Sequence, residues 1–143
     1  MTGVMDACIK GTIDYLRARR QFGAPIGAFQ ALQHRVADMW IACEETRSLA
    51  FAAAHACNGP AHERRRAVSM AKVRACDAAQ LIGAETIQLH GGIGMTDELI
   101  VSHWYKRLLA LRLSLGDRRH HVARLASSAS NWTGTTTDYT VGG

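Results

Sequence analysis

Apolar residues recur along this chain at helical spacing, and glycine, proline or asparagine interrupts the pattern at a few places. Val4, Cys8, Ile9, Ile13 and Leu16 fall three or four positions apart, which predicts a helix over residues 4–20 with one apolar face. Gly23, Pro25 and Gly27 break the pattern over residues 21–27. Helical spacing returns from Ala28 to Cys57 through Phe29, Leu32, Val36, Met39, Trp40, Cys43 and Leu49, and Asn58-Gly59-Pro60 stops it. A third helix is predicted from Glu63 to about Leu89, with Val68, Ala71, Ala75, Ala78, Ala79 and Ile82 on one side. Its small residues let a neighbouring helix approach closely, and Gly83 suits the same contact. Glu98 to Leu115 reads as a fourth helix, and Asp117 is placed to cap a fifth running to about Ala126. Ser127 to Gly143 is rich in Ser, Thr and Gly, so residues 127–143 are expected to form a disordered tail. The expected fold is all-α: an antiparallel four-helix bundle over residues 1–126, with a short fifth helix and one long loop.

Composition narrows the class. At 143 residues the chain fits one domain, able to bury about two-thirds of its unfolded surface. No apolar run approaches the roughly 18 residues of a membrane span, and Asp6 and Lys10 exclude a signal peptide at the N-terminus. Cys8, Cys43, Cys57 and Cys76 form no CxxC pair and sit among apolar helical positions, so they read as reduced core thiols of a cytoplasmic protein. The net charge is +5, and 14 of the 17 basic residues are arginine. That balance permits an anionic partner. The basic residues are scattered, however, and only Arg64-Arg65-Arg66 forms a run, with no nucleic-acid motif beside it. A solvated helix start is the plainer reading of that run, so no nucleic-acid partner is expected. His90 and His103 lack a metal-ligand partner at i+4, and no metal site is expected. His120 and His121 are adjacent and point to different faces.

Two glycine-bearing helix exits carry the candidate chemistry. One is Arg19-Arg20-Gln21-Phe22-Gly23; the other is Gln88-Leu89-His90-Gly91-Gly92-Ile93-Gly94. Either alone reads as a helix C-cap. Taken in order, Tyr15 to Gly23, Phe29-Gln30 with Gln33, Ala37-Asp38-Met39, Met70-Ala71-Lys72 and Gln88 to Gly94 resemble the C-terminal helical domain of flavin-dependent acyl-CoA dehydrogenases. The resemblance covers roughly residues 3 to 126. Gly94 to Glu98 and Gly116 to His121 are similar to the branch of pimeloyl-CoA dehydrogenase small subunits and actinobacterial steroid-side-chain paralogues.

The resemblance implies the chemistry. In that family a carboxylate removes the α-proton of an acyl-CoA thioester, the β-hydrogen leaves as hydride to FAD, and an electron-transferring flavoprotein takes the electrons. The C-terminal bundle completes the FAD site of a neighbouring subunit, so a homo- or hetero-oligomer is expected. Carried onto this chain, Arg19 would face the flavin pyrophosphate, which suits a planar bidentate donor. Gln21 and Phe22 would pack on the dinucleotide, Gln30 would hydrogen-bond it, and Gln88, Leu89, His90, Gly91 and Gly92 would line its adenosine end. Without the resemblance, these are a solvated helix terminus, polar helix edges and core aromatics.

The catalytic base is where the chain departs from the family. The usual glutamate before a glycine falls at Leu115, which cannot accept a proton. Asp117 is the nearby candidate base, and its ordinary role is an N-cap. The family's Arg-Asp pair in the fourth helix is Lys106-Arg107 here. The helix segment that carries the base in other subfamilies lies upstream of Gly3. The chain therefore reads as a short, truncated domain that needs missing domains or a partner polypeptide to reach acyl-CoA, and is inactive alone. The competing reading is a non-catalytic helical assembly subunit, or a remnant that binds no flavin.

Overall fold

The third helix is the narrow element on which the others pack, because its buried face is built from small residues. The computed structural model describes residues 1–96 and 99–129. Its helices are α1 (Thr2–Ala18), α2 (Gln30–Ala56), α3 (Ala61–His90), α4 (Ile100–Leu113) and α5 (Arg118–Ala129), and α3 touches each of the other four. Ala75, Ala78, Ala79, Ile82 and Gly83 are buried on α3. Met5, Cys8, Ile9 and Leu16 of α1 meet them, with Met39, Ala42 and Cys43 of α2 and Leu108 of α4. Full burial of Met5, Met39, Ile82 and Leu108 contributes about 1.5–3 kcal/mol each. At Gly83 a Cβ would stand 2.8 Å from Cδ2 of Tyr105, so the missing side chain is what lets α4 lie against α3.

Ion pairs fix how the helices register. Arg35 pairs with Glu85 at 2.6 Å, Arg47 with Asp6 at 2.7 Å and Arg118 with Asp77 at 2.6 Å, and Arg74 pairs with Glu45. All are partly exposed and screened by water, so they contribute little to stability. Their value is positional.

The all-helical expectation holds, with local corrections. Residues 20–25 form a minimal hairpin, β1 (Arg20–Gln21) paired antiparallel with β2 (Ala24–Pro25), where only a loop was expected. A 3-10 turn over Ile26–Ala28 leads into α2, and another over Gly91–Met95 follows α3. Phe29, Trp40 and Val68 fall on the expected apolar stripes yet are exposed; for Trp40 of α2, the narrow α3 offers too little width to cover it. α4 ends at Leu113, which puts Leu115 outside the helix. Its expected start at Glu98 lies outside the described residues. α5 runs to Ala129, three residues beyond the expected end, so Ser127 and Ser128 are helical; the rest of the expected tail, residues 130–143, lies outside the described residues.

The cysteines divide three to one. Cys8, Cys43 and Cys76 are buried, whereas Cys57 is exposed at the end of α2, against expectation. Burial pushes the Cys8 thiol up to about 11, slightly opposed by the Thr86 hydroxyl. Burial likewise pushes Cys43 up to about 11, helped by the Asp6 carboxylate, which accepts its S–H at 3.5 Å. Burial also raises Cys76.

Three outcomes follow. Gly83→Ala should destabilise the fold by about 1–3 kcal/mol through overpacking against Tyr105, read from the urea midpoint. At neutral pH an alkylating reagent should modify Cys57 and spare the other three until denaturant is added, checked by intact mass. Because the folded thiols titrate above their unfolded values, their contribution is present below about pH 8.5 and lost as pH rises towards about 11. The melting temperature should fall across that window.

Candidate functional site

The C-terminal ends of α1 and α3 meet on one side of the bundle. Tyr15, in the last turn of α1, stacks on His90 with ring centroids 4.4 Å apart and donates its hydroxyl to the His90 carbonyl at 3.3 Å. His90 Nδ1–H donates to the Thr86 carbonyl at 2.7 Å, which leaves Nε2 as the acceptor. The ring is thereby committed to the interior, and Leu89 is buried beside it. Gln88, Gly91 and Gly92 are exposed around this junction. Gly91 has φ 66 and ψ −149, a conformation reserved for glycine, and no atom lies within 4 Å of a Cβ built on Gly91 or Gly92. This stretch presents bare backbone.

Beside it, the backbone of Arg19 is held at both ends. Its N–H donates to the Tyr15 carbonyl at 2.8 Å, and its carbonyl accepts from Ile26 N–H at 2.8 Å. The guanidinium is exposed, and no carboxylate among the described residues pairs with it. The hairpin turn then places Phe22 at φ 52 and Gly23 at φ 80, both left-handed, as a two-residue hairpin of this twist requires. For an aromatic residue that conformation costs about 1–2 kcal/mol. Burial does not offset it: Phe22 is 90% exposed, and its ring meets only the edge of Phe29, at 6.1 Å. Gln21 and Gln30 are exposed on the same loop and at the start of α2, and Gln33 ties the two together by donating to the Gly27 carbonyl at 2.9 Å. Among the described residues no hydrogen bond joins Arg19, Gln21, Gln30 and Gln88 to one another. They form an open surface.

A second strained corner joins α4 to α5. Leu115 has φ 58 and is 95% exposed, and Gly116 follows at φ 91. Lys72 of α3 donates to the carbonyls of Leu111 and Ser114, both at 2.8 Å, closing the end of α4. Buried His121 donates from Nε2 to the Leu115 carbonyl at 3.0 Å, while its Nδ1 accepts from the Ser69 hydroxyl at 3.2 Å. Asp117 Oδ1 accepts the His120 backbone N–H at 2.8 Å, the geometry of an N-cap on α5.

Residues 1–129 match the family model of the acyl-CoA dehydrogenase C-terminal domain. The chain belongs to this family. It is 36% identical over 125 residues to the acyl-CoA dehydrogenase IpdE2 of Mycobacterium tuberculosis, covering 87% of this chain and 37% of that relative. Against the solved structure of a steroid ACAD variant, Tcur3481-Tcur3483, it has a TM-score of 0.87 at 29% identity, covering 94% of this chain and 37% of the other. Against the FAD complex of PigA the TM-score is 0.80 at 25% identity, covering 90% of this chain and 33% of the other. The chain thus spans little more than a third of the length of these acyl-CoA dehydrogenase relatives.

Of the residues singled out in the sequence, the fold brings the hairpin group and the Gln88–Gly92 group to adjoining helix ends through Tyr15 and His90. Asp117 and Leu115 sit apart from them, at the α4–α5 corner. Sequence reasoning missed His121 and Ser69, whose contact joins positions 52 apart. Among the described residues no group of His, Cys, Asp and Glu is placed to hold a metal, and no helix is long and apolar enough to cross a membrane.

Phe22→Gly tests whether the aromatic is structural. Relief of the left-handed strain and the added freedom of the unfolded chain should nearly cancel, leaving stability within about 1 kcal/mol of wild type in a denaturant melt. A loss beyond about 2 kcal/mol would show that the ring supports the fold.

Proposed function

We propose that this chain serves as the C-terminal helical domain of a flavin-dependent acyl-CoA dehydrogenase, completing an FAD site shared with another protomer or a partner polypeptide. One observation carries the reading: an arginine that pairs with no carboxylate among the described residues, a strained exposed aromatic and an open diglycine backbone stand together at two joined helix ends. Each is costly or idle for the fold and useful to a dinucleotide. The Arg19 guanidinium would hold the pyrophosphate, with the Phe22 ring and Gln21 packing on the dinucleotide. Gln30 and Gln88 would hydrogen-bond it, and Gly91–Gly92 would admit its close approach. Leu89 and the His90 ring would act from beneath, as the floor that holds the diglycine in place. FAD, when bound, would supply the hydride acceptor for α,β-dehydrogenation of an acyl-CoA thioester.

The remaining parts must come from elsewhere. Leu115 at the α4–α5 corner takes no proton, and the Asp117 carboxylate is engaged as an N-cap, so the partner would supply the base. The two-part designation of the steroid ACAD relative fits such an assembly. So does the outer surface of α2, where Trp40 is 53% and Phe51 70% exposed. Within this reading electrons pass on to an electron-transferring flavoprotein.

Leu115 and the Lys106-Arg107 pair favour a second reading, a helical assembly module that binds no flavin. Co-expression with a chain carrying the missing domains separates the two. The first reading expects a co-purifying complex with flavin absorbance, and at least a tenfold loss of flavin retention for Arg19→Ala with the complex intact. A stable complex without flavin would establish the second.

A further inference from the structure

Far from the flavin-facing ends, the start of α3 and the end of α5 enclose a cavity of about 320 Å³, lined by His62, Arg65, Arg66, Arg124, Ser127 and Ser128. The two sets share one spacing. Residues 62, 65 and 66 on α3 and residues 124, 127 and 128 on α5 are each i, i+3, i+4, the set that faces one way from a helix. Two helix faces therefore converge on one small space, and no carboxylate among the described residues lines it.

Arg35, Arg47, Arg74 and Arg118 each meet an acidic residue. Arg65, Arg66 and Arg124 line one cavity, and among the described residues none of them pairs with a carboxylate. The nearest acid in sequence, Glu63, lies 3.9 Å from His62 Nε2 and does not line the cavity. Like charges held together without counter-charge repel, and an anion between them reverses the sign of that energy. Guanidinium forks suit tetrahedral oxyanions, which accept paired N–H bonds. The Ser127 and Ser128 hydroxyls, which donate to the carbonyls of Arg124 and Leu125 at 3.0 and 2.8 Å, line the same space.

We propose that this cavity is a binding site for a small phosphate-bearing anion, of the phosphomonoester or pyrophosphate class. Its volume is at the small end of ligand sites, which fits a phosphate group and excludes a whole dinucleotide. The site shares no residue with the flavin-facing surface, so it stands whether or not that reading does.

Calorimetric titration of the full 143-residue chain with sodium pyrophosphate, and separately with sulfate, tests it. The expected result is saturable binding that weakens with added salt, is at least tenfold tighter for pyrophosphate than for sulfate, and is lost at least tenfold in R65Q/R124Q. Arg66→Gln alone, at a fully exposed position, should lower affinity severalfold and guards against misfolding of the double variant. Lys10→Gln, which removes an exposed charge outside the cavity, should leave this binding unchanged. Equal affinity in R65Q/R124Q, an equal loss in Lys10→Gln, sulfate as tight as pyrophosphate, or no saturable heat would each overturn the proposal. So would displacement of pyrophosphate by a short DNA duplex, which would make the patch a nucleic-acid track.

Discussion

The close approach of helices onto the alanine and glycine face of α3 is the contact on which this structure depends. Four helices share one axle, and they fit around it only because Ala75, Ala78, Ala79 and Gly83 keep it thin. Tyr105 occupies the space that a side chain at position 83 would fill. Close packing then brings the chain ends of α1 and α3 within ring-stacking distance, so the geometry of the candidate site follows from core packing. A bulkier α3 would separate Tyr15 from His90 and part the two loops. The same thinness has a cost elsewhere, since a slim axle leaves Trp40, Ile41 and Phe51 of α2 outside.

Corners need different physics from faces. At the hairpin and at the α4–α5 turn the chain reverses through bulky residues in left-handed conformations, Phe22 and Leu115. Neither sequence position shows the Asn-Gly or Asp-Gly signal of a tight turn; each has a large residue before glycine. The strain is tolerated because neighbouring groups fix the corner. Gln33 and the Arg19 backbone hold the first, and Lys72, His121 and Asp117 hold the second. Both strained side chains end up almost wholly in solvent. Backbone strain spent on exposing an apolar side chain gains the isolated chain nothing, which is the physical argument that both corners are built to meet something else.

What was legible in the sequence follows from range. Helix periodicity is local, so α1, α2 and α3 could be read within two or three residues of their ends, and the small face of α3 announced a close neighbour at Gly83. The family resemblance was legible because its motifs lie in register over most of the chain. The hairpin was not, because Gln21-Phe22-Gly23-Ala24 carries no intrinsic turn preference strong enough to predict left-handed phenylalanine. Trp40 lay on a correct stripe, and its exposure depended on how wide α3 is, a tertiary quantity. Cys57 was mistaken for core for the same reason, since it caps the end of α2 and is exposed there. His121 was invisible in its role because Ser69, which fixes its tautomer, stands 52 positions away.

The candidate site is open to solvent. Its groups are surface groups: Arg19, Gln21, Phe22, Gln30 and Gln88 are all exposed, with buried Leu89 and His90 and half-buried Tyr15 beneath them. Desolvation is what makes an arginine–pyrophosphate contact strong, and an open surface does not supply it. A second surface is therefore required before these residues bind with appreciable affinity. The length comparison agrees in direction, since the acyl-CoA dehydrogenase relatives that resemble this chain are nearly three times as long as the stretch it matches. Under the proposed function, a rigid interior would position these groups for completion by a second surface, and an exposed apolar Leu115 at the other corner is consistent with that arrangement. A proton acceptor there would be wasted unless substrate came to this face, and a leucine there is useful once another surface covers it.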